Sequence, residues 1–145
     1  MSSVLLIGAF AGACAGAVMT FFSHIAPMFG AGNFIKDLDR PQILGRDLSR
    51  REAHLLGILV HLCLSAIFGL GYGILVQFGW TSGFYAIPLF LYAVLITLIT
   101  GLLVMPWEGH GLFGRKHDPW FMIDALLTNI GWAVLVYLIA HLWSA

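Results

Sequence analysis

The stretch Lys36-Asp37-Leu38-Asp39-Arg40-Pro41-Gln42-Ile43-Leu44-Gly45-Arg46-Asp47-Leu48-Ser49-Arg50-Arg51 holds five of the chain's seven basic residues. The other two stand together as Arg115–Lys116. Around these two basic segments run four apolar stretches, at about residues 4–29, 55–78, 84–105 and 120–143. Each reaches the roughly 20 residues that a helix needs to cross a hydrocarbon core about 30 Å thick. In lipid the backbone satisfies its own hydrogen bonds, so the spans are expected to be helical. Four crossings put both basic segments on one side and both termini, with the turn around Trp80-Thr81-Ser82-Gly83, on the other. Lysine and arginine collect in cytoplasmic loops. The expected architecture is therefore an all-α integral membrane four-helix bundle with cytoplasmic loops 30–54 and 106–119. Both termini then lie on the non-cytoplasmic side.

Composition agrees. Of 145 residues 60% are hydrophobic and 10% charged, against about 25% charged in soluble domains. The net charge is zero, which argues against a nucleic-acid partner. Cys14 and Cys63 fall inside spans and read as small packing residues. The first span has no basic residue before it and is too long for a signal-peptide core, so it is expected to stay in the mature protein.

Local signals place the helix ends. Ser49-Arg50-Arg51-Glu52 is a capping box that opens span two. Asp118-Pro119 offers an N-cap and a first-turn proline to span four, and Met105-Pro106 is expected to end span three. Pro27 should bend the end of span one, whereas Pro88 falls in a first turn, where proline is tolerated. Asp39-Arg40-Pro41 reads as the start of a short amphipathic helix on the membrane surface, with a compact loop as the alternative. Trp80 and Trp143 mark one interface, Trp107 and Trp120 the other.

Two spans carry mostly small residues at every fourth position, each row including one histidine: Gly8, Gly12, Gly16, Thr20 and His24 in span one, and Gly57, His61, Ser65, Gly69 and Gly73 in span two. Positions four apart share a helix face, and small residues there let two backbones approach closely. Spans one and two are therefore expected to pack together. A leftover glycine face would be free to meet other copies.

Ionisable groups at membrane depth are costly and tend to face an interior or a cavity. At 1.5 Å rise per residue, His24, His61 and Asp124 lie about 7, 9 and 6 Å inside the cytoplasmic ends of their spans. Thr97, Thr100 and Thr128 reach similar depths. Such a layer suits proton relay, cation passage or metal ligation. The simpler reading is structural hydrogen bonds, with Asp124 pairing to Arg115 or Lys116. His141, at the opposite end of span four, reads as interfacial. The loop residues Glu108, His110 and His117 are metal ligands by type, but their spacing matches no metal motif. Gly109, Gly111 and Gly114 point instead to a tight turn.

The Gly-rich first span running into Ala17-Val18-Met19-Thr20 and Ala26-Pro27-Met28-Phe29-Gly30, together with Val104-Met105-Pro106 and Gly111-Leu112-Phe113-Gly114, resembles the small four-span bacterial inner-membrane proteins of the YagU-like group. That resemblance implies a four-helix membrane fold and no activity. Glu108 and His110 depart from its pattern. No nucleophile–base pair or phosphate-cradling loop is present, and the chain does not read as an enzyme. The expected role is a non-catalytic accessory or structural subunit of a larger inner-membrane complex, with the bilayer and other subunits or copies of itself as partners. The alternatives are a small oligomeric channel or transporter for protons or cations, and a metal- or haem-binding redox subunit. The sequence names no cofactor.

Overall fold

The computed structural model describes residues 3–25, 42–43, 46–47, 49–107, 109–116 and 120–144. The described chain is all-helical apart from one minimal ladder. Helix α1 covers Ser3–Ile25, α2 Arg50–Gln77, α3 Ala86–Ile99 and α4 Phe121–Ser144. Strands β1 (Gln42–Ile43) and β2 (Arg46–Asp47) pair antiparallel, Gln42 opposite Asp47 and Ile43 opposite Arg46. These four residues are extended where an amphipathic helix was one expectation. Pro27 and Asp118-Pro119 lie outside the described residues.

Four helical segments of 20 to 24 residues are long and apolar enough to cross a membrane: Ser3–Phe22, His54–Gln77, Ala86–Trp107 and Phe121–Trp143. The chain runs up and down through them. Arg50 and Arg51 at the start of α2 and Arg115 and Lys116 after α3 therefore fall at one end of the helices, here the basic end, and Ser3, Ser144 and the 78–85 turn at the other. Exposed Trp107 and Trp120 mark the basic end, Trp80 and Trp143 the opposite one.

The start of α2 follows its sequence signal. Ser49 Oγ accepts from the Glu52 N–H at 3.3 Å, and Glu52 Oε2 accepts from the Ser49 N–H at 2.9 Å. The end of α3 does not. Instead of stopping at Met105, the helix widens into a π turn over Thr100–Val104 and resumes as α over Met105–Trp107. The Met105 N–H reaches back five residues to the Thr100 carbonyl. Pro106 has no N–H, and in a regular helix its ring collides with the carbonyl four residues earlier. The wider π ladder just before it supplies the room.

Helix α1 is central, packing along α2 and α4, and α4 in turn packs along α3. Glycine makes the first contact possible. A Cβ on Gly12 would run into the Ser65 carbonyl and lie 2.9 Å from the Gly69 Cα; one on Gly8 would meet the Gly69 carbonyl. A Cβ on Gly16 would lie 2.6 Å from the Ser65 side chain, and one on Gly73 3.1 Å from the Val4 carbonyl. Gly57 belongs to the same sequence stripe, yet nothing lies within 4 Å of where its Cβ would be. The core is built of Ala11 and Ala15 of α1, Tyr72 of α2, Leu89, Ala93 and Ile96 of α3, and Trp132, Ala133 and Val136 of α4.

The 109–116 loop is locked beneath the π turn. Gly109, Gly111 and Gly114 take positive φ, and so does Phe113 at 58°, a region non-glycine residues rarely enter. That conformation is over-determined by packing: the Phe113 ring presses on Gly101 inside the π turn, where Met122 of α4 also rests. Backbone bonds from His110 N to Met105 O (2.9 Å) and Lys116 N to His110 O (3.0 Å) close the loop on the helix end.

These contacts separate two glycines that look alike in sequence. Gly12→Ala inserts a methyl group into a backbone contact and should cost about 1–3 kcal/mol. Gly57→Ala, in open space within a helix, should be neutral or stabilise by up to about 1 kcal/mol. Denaturant unfolding in detergent micelles, followed by circular dichroism, measures both.

Candidate functional site

Aromatic rings join α2, α3 and α4 near the middle and toward the opposite end from the basic one. Tyr72 stacks at 5.3 Å on both Phe84 and Tyr92, and Tyr92 lies 6.5 Å from Trp132. Each polar tip of this cluster finds a carbonyl, as buried aromatic hydroxyl and indole groups require. The Tyr72 hydroxyl donates to Gly83 O (2.9 Å), Tyr92 to Phe68 O (3.0 Å) and Trp132 Nε1 to Gly12 O (3.4 Å). Gly71 leaves space for the Tyr92 hydroxyl, 2.7 Å from where a Cβ would sit. Tyr92 is thus a strut from α3 to α2.

Below that strut the faces that pointed inward become exposed. Residues four, seven and eleven positions before Phe68 share its helix face: they are Leu64, His61 and Gly57. Leu64 is 44% exposed, His61 is exposed and Gly57 is open. On α3, Leu95 and Ile99 follow Tyr92 by three and seven residues, and they are 49% and 45% exposed. The result is a seam between α2 and α3, roofed by Phe68 and Tyr92 and open toward the basic end. Its walls are apolar except for His61.

One polar contact ties α3 to α4 at this level. Asn129 Nδ2 donates to Thr97 Oγ1 at 2.8 Å, and Thr97 Oγ1 donates to Ala93 O at 2.8 Å. Thr100 Oγ1 donates to Ile96 O at 3.0 Å, within its own helix. Asn129 is the residue that sequence reasoning missed in favour of its neighbour. Thr128 is exposed, whereas Asn129 is half-buried and bonded across the interface. A signal existed: threonine can return its hydroxyl to its own helix, but an asparagine amide at membrane depth needs a partner on another helix.

The expected polar layer is distributed as follows. His61 faces the seam, Thr128 is exposed on α4 and Asp124 is half-buried in the first turn of α4. His24 belongs to the last turn of α1, but its side chain lies outside the described residues. Glu108 and His117 lie outside them too, and His110 is half-buried in the loop. Among the described residues, no three His, Cys, Asp or Glu side chains come together in a way that could hold a metal ion. His141 Nδ1 donates to Tyr137 O at 2.8 Å and its ring packs on Tyr137, at the opposite end. Cys14 and Cys63 are free thiols.

No known protein family matches the chain, and no curated protein or solved structure shows significant similarity to it.

Adjacent α4 residues should respond differently to truncation. Asn129→Ala removes the interhelical bond and should cost about 0.5–2 kcal/mol, while Thr128→Ala should change stability by less than about 0.5 kcal/mol. Paired unfolding curves in the same detergent decide between them, and equal effects would remove Asn129 from its place in the α3–α4 contact.

Proposed function

We propose that this protein is a multi-pass inner-membrane protein with both termini outside the cytoplasm, serving as a non-catalytic accessory or structural subunit of a larger membrane complex. The observation that carries the reading is how its interior polar groups are used. The Tyr72, Tyr92, Thr97 and Thr100 hydroxyls, the Trp132 indole and the Asn129 amide all bond to backbone or to one another. Groups engaged in this way hold helices together and leave their chemistry unavailable to a substrate. The glycine contact between α1 and α2 has the same character, because close backbone packing gives a rigid hairpin on which other helices can seat.

The proton- or cation-handling alternative draws on His61, Asp124 and Thr128, and it requires them to share one path. His61 on α2 and Thr128 on α4 are both exposed, so on this reading a second subunit is one way to complete such a path. For the metal- or haem-binding alternative, no three candidate ligands gather among the described residues, so it would draw on one or two histidines, as axial ligation of haem does.

Two measurements test the proposal. Alkaline phosphatase fused to either terminus should be active, and fusions within the 109–116 loop inactive; active loop fusions would reverse the topology. For the role itself, a photo-crosslinking residue is placed at exposed Leu6, Leu59, Leu91 or Leu127, one on each helix, in native membranes. One helix should yield an adduct with a second polypeptide of a single, reproducible mass. Lipid adducts alone at all four positions would overturn the accessory role, and an adduct of twice the chain's own mass would replace it with self-assembly.

A further inference from the structure

We propose that the seam between α2 and α3 is a binding cleft for one anionic phospholipid, with an acyl chain against Leu64, Leu95 and Ile99 and the phosphate at Arg51, Arg115 and Lys116.

Shape is the first support. The Tyr92 hydroxyl on Phe68 O closes the seam at its inner end, and the side chains below that bond stand open although they share the helix faces of Phe68 and Tyr92. Gly57 has no neighbour within 4 Å of its Cβ direction, which widens the seam just inside its mouth. An apolar seam closed at one end fits a hydrocarbon chain entering from the other.

Charge is the second support, and it selects the headgroup. Exposed Arg51 lies in the first turn of α2, and exposed Arg115 and Lys116 lie in the loop that follows α3. The two helices that wall the seam therefore each carry cations at its open end. The loop pair is not on a free tether. Phe113 is wedged against Gly101, the Lys116 N–H bonds the His110 carbonyl at 3.0 Å, and the Lys116 stem lies over Gly111. A phosphate diester with a neutral headgroup keeps its negative charge beside these cations, whereas a choline headgroup brings a cation of its own. Basic pockets between transmembrane helices are a recognised mode of anionic-lipid binding.

His61 is the third support. It lies about 10 Å along the helix from His54, where the apolar segment begins. It is the polar group on the seam wall, and the ester oxygens of a phospholipid are acceptors that enter a cleft together with the acyl chain.

Native mass spectrometry tests the proposal on the full chain released from nanodiscs made with equal amounts of phosphatidylglycerol and phosphatidylcholine carrying the same acyl chains. One phosphatidylglycerol should stay bound in preference. Replacing both loop cations, Arg115→Gln with Lys116→Gln, should lower that preference about 25-fold, at about fivefold per charge. Leu95→Trp or Ile99→Trp should fill the slot and reduce retention of both lipids. Each site is nearly half exposed, so the bundle tolerates the larger ring, and whichever variant keeps a cooperative thermal transition is read. Equal retention of the two lipids, a preference that survives the double Gln change, or retention unaltered by the tryptophans would each overturn the cleft. Displacement of phosphatidylglycerol by excess inorganic phosphate would likewise replace it with a simple anion site.

Discussion

The close approach of α1 and α2 is the contact on which the rest of the arrangement depends. Lipid tails are as apolar as leucine, so helices in a membrane gain little from merely covering apolar surface. What holds two of them together is dense contact, and density requires that the backbones come near. Gly8 and Gly12 against Ser65 and Gly69 achieve it by placing carbonyl groups where side chains would otherwise begin. With α2 seated, Trp132 can reach the Gly12 carbonyl from α4, and Tyr92 can reach Phe68 from α3. The glycine seam therefore positions the partners of both long aromatic struts.

The same geometry explains why the molecule is tight toward one end and open toward the other. Glycines and serine fill the α1–α2 contact from Gly73 to Ser65, and the aromatic rings occupy the neighbouring depth between α2, α3 and α4. Nearer the start of α2 the stripe continues as exposed His61 and as Gly57, which has no neighbour within 4 Å of its Cβ direction. At the same end α3 is occupied differently. Its π turn accepts Phe113 and Met122, so it packs toward the loop and α4, and its Leu95–Ile99 face is left uncovered beside α2. The opening is thus a consequence of which neighbours each helix takes.

Much of this was legible in the chain itself. Length and apolar content are sufficient for four helices, because stretches of about 20 apolar residues match the hydrocarbon thickness and a helix satisfies its own backbone hydrogen bonds. The capping box at Ser49–Glu52 was readable for a similar reason: its partners lie three residues apart. The glycine spacing likewise nominated α1 and α2 as neighbours.

Three features were decided only by tertiary structure. Gly57 and Gly69 are the same residue type in one periodic stripe, and only the path of α1 determines that the second is pressed and the first is free. Thr128 and Asn129 adjoin on a helix that is apolar nearly all round, so no stripe announces which of them meets α3. Pro106 signals a stop by local sterics, yet the π turn lets the helix continue, because Phe113 and Met122 fill the space beside Gly101. Local chemistry and span length are properties of the chain alone, whereas each of these outcomes depends on an atom contributed by another helix or by the loop.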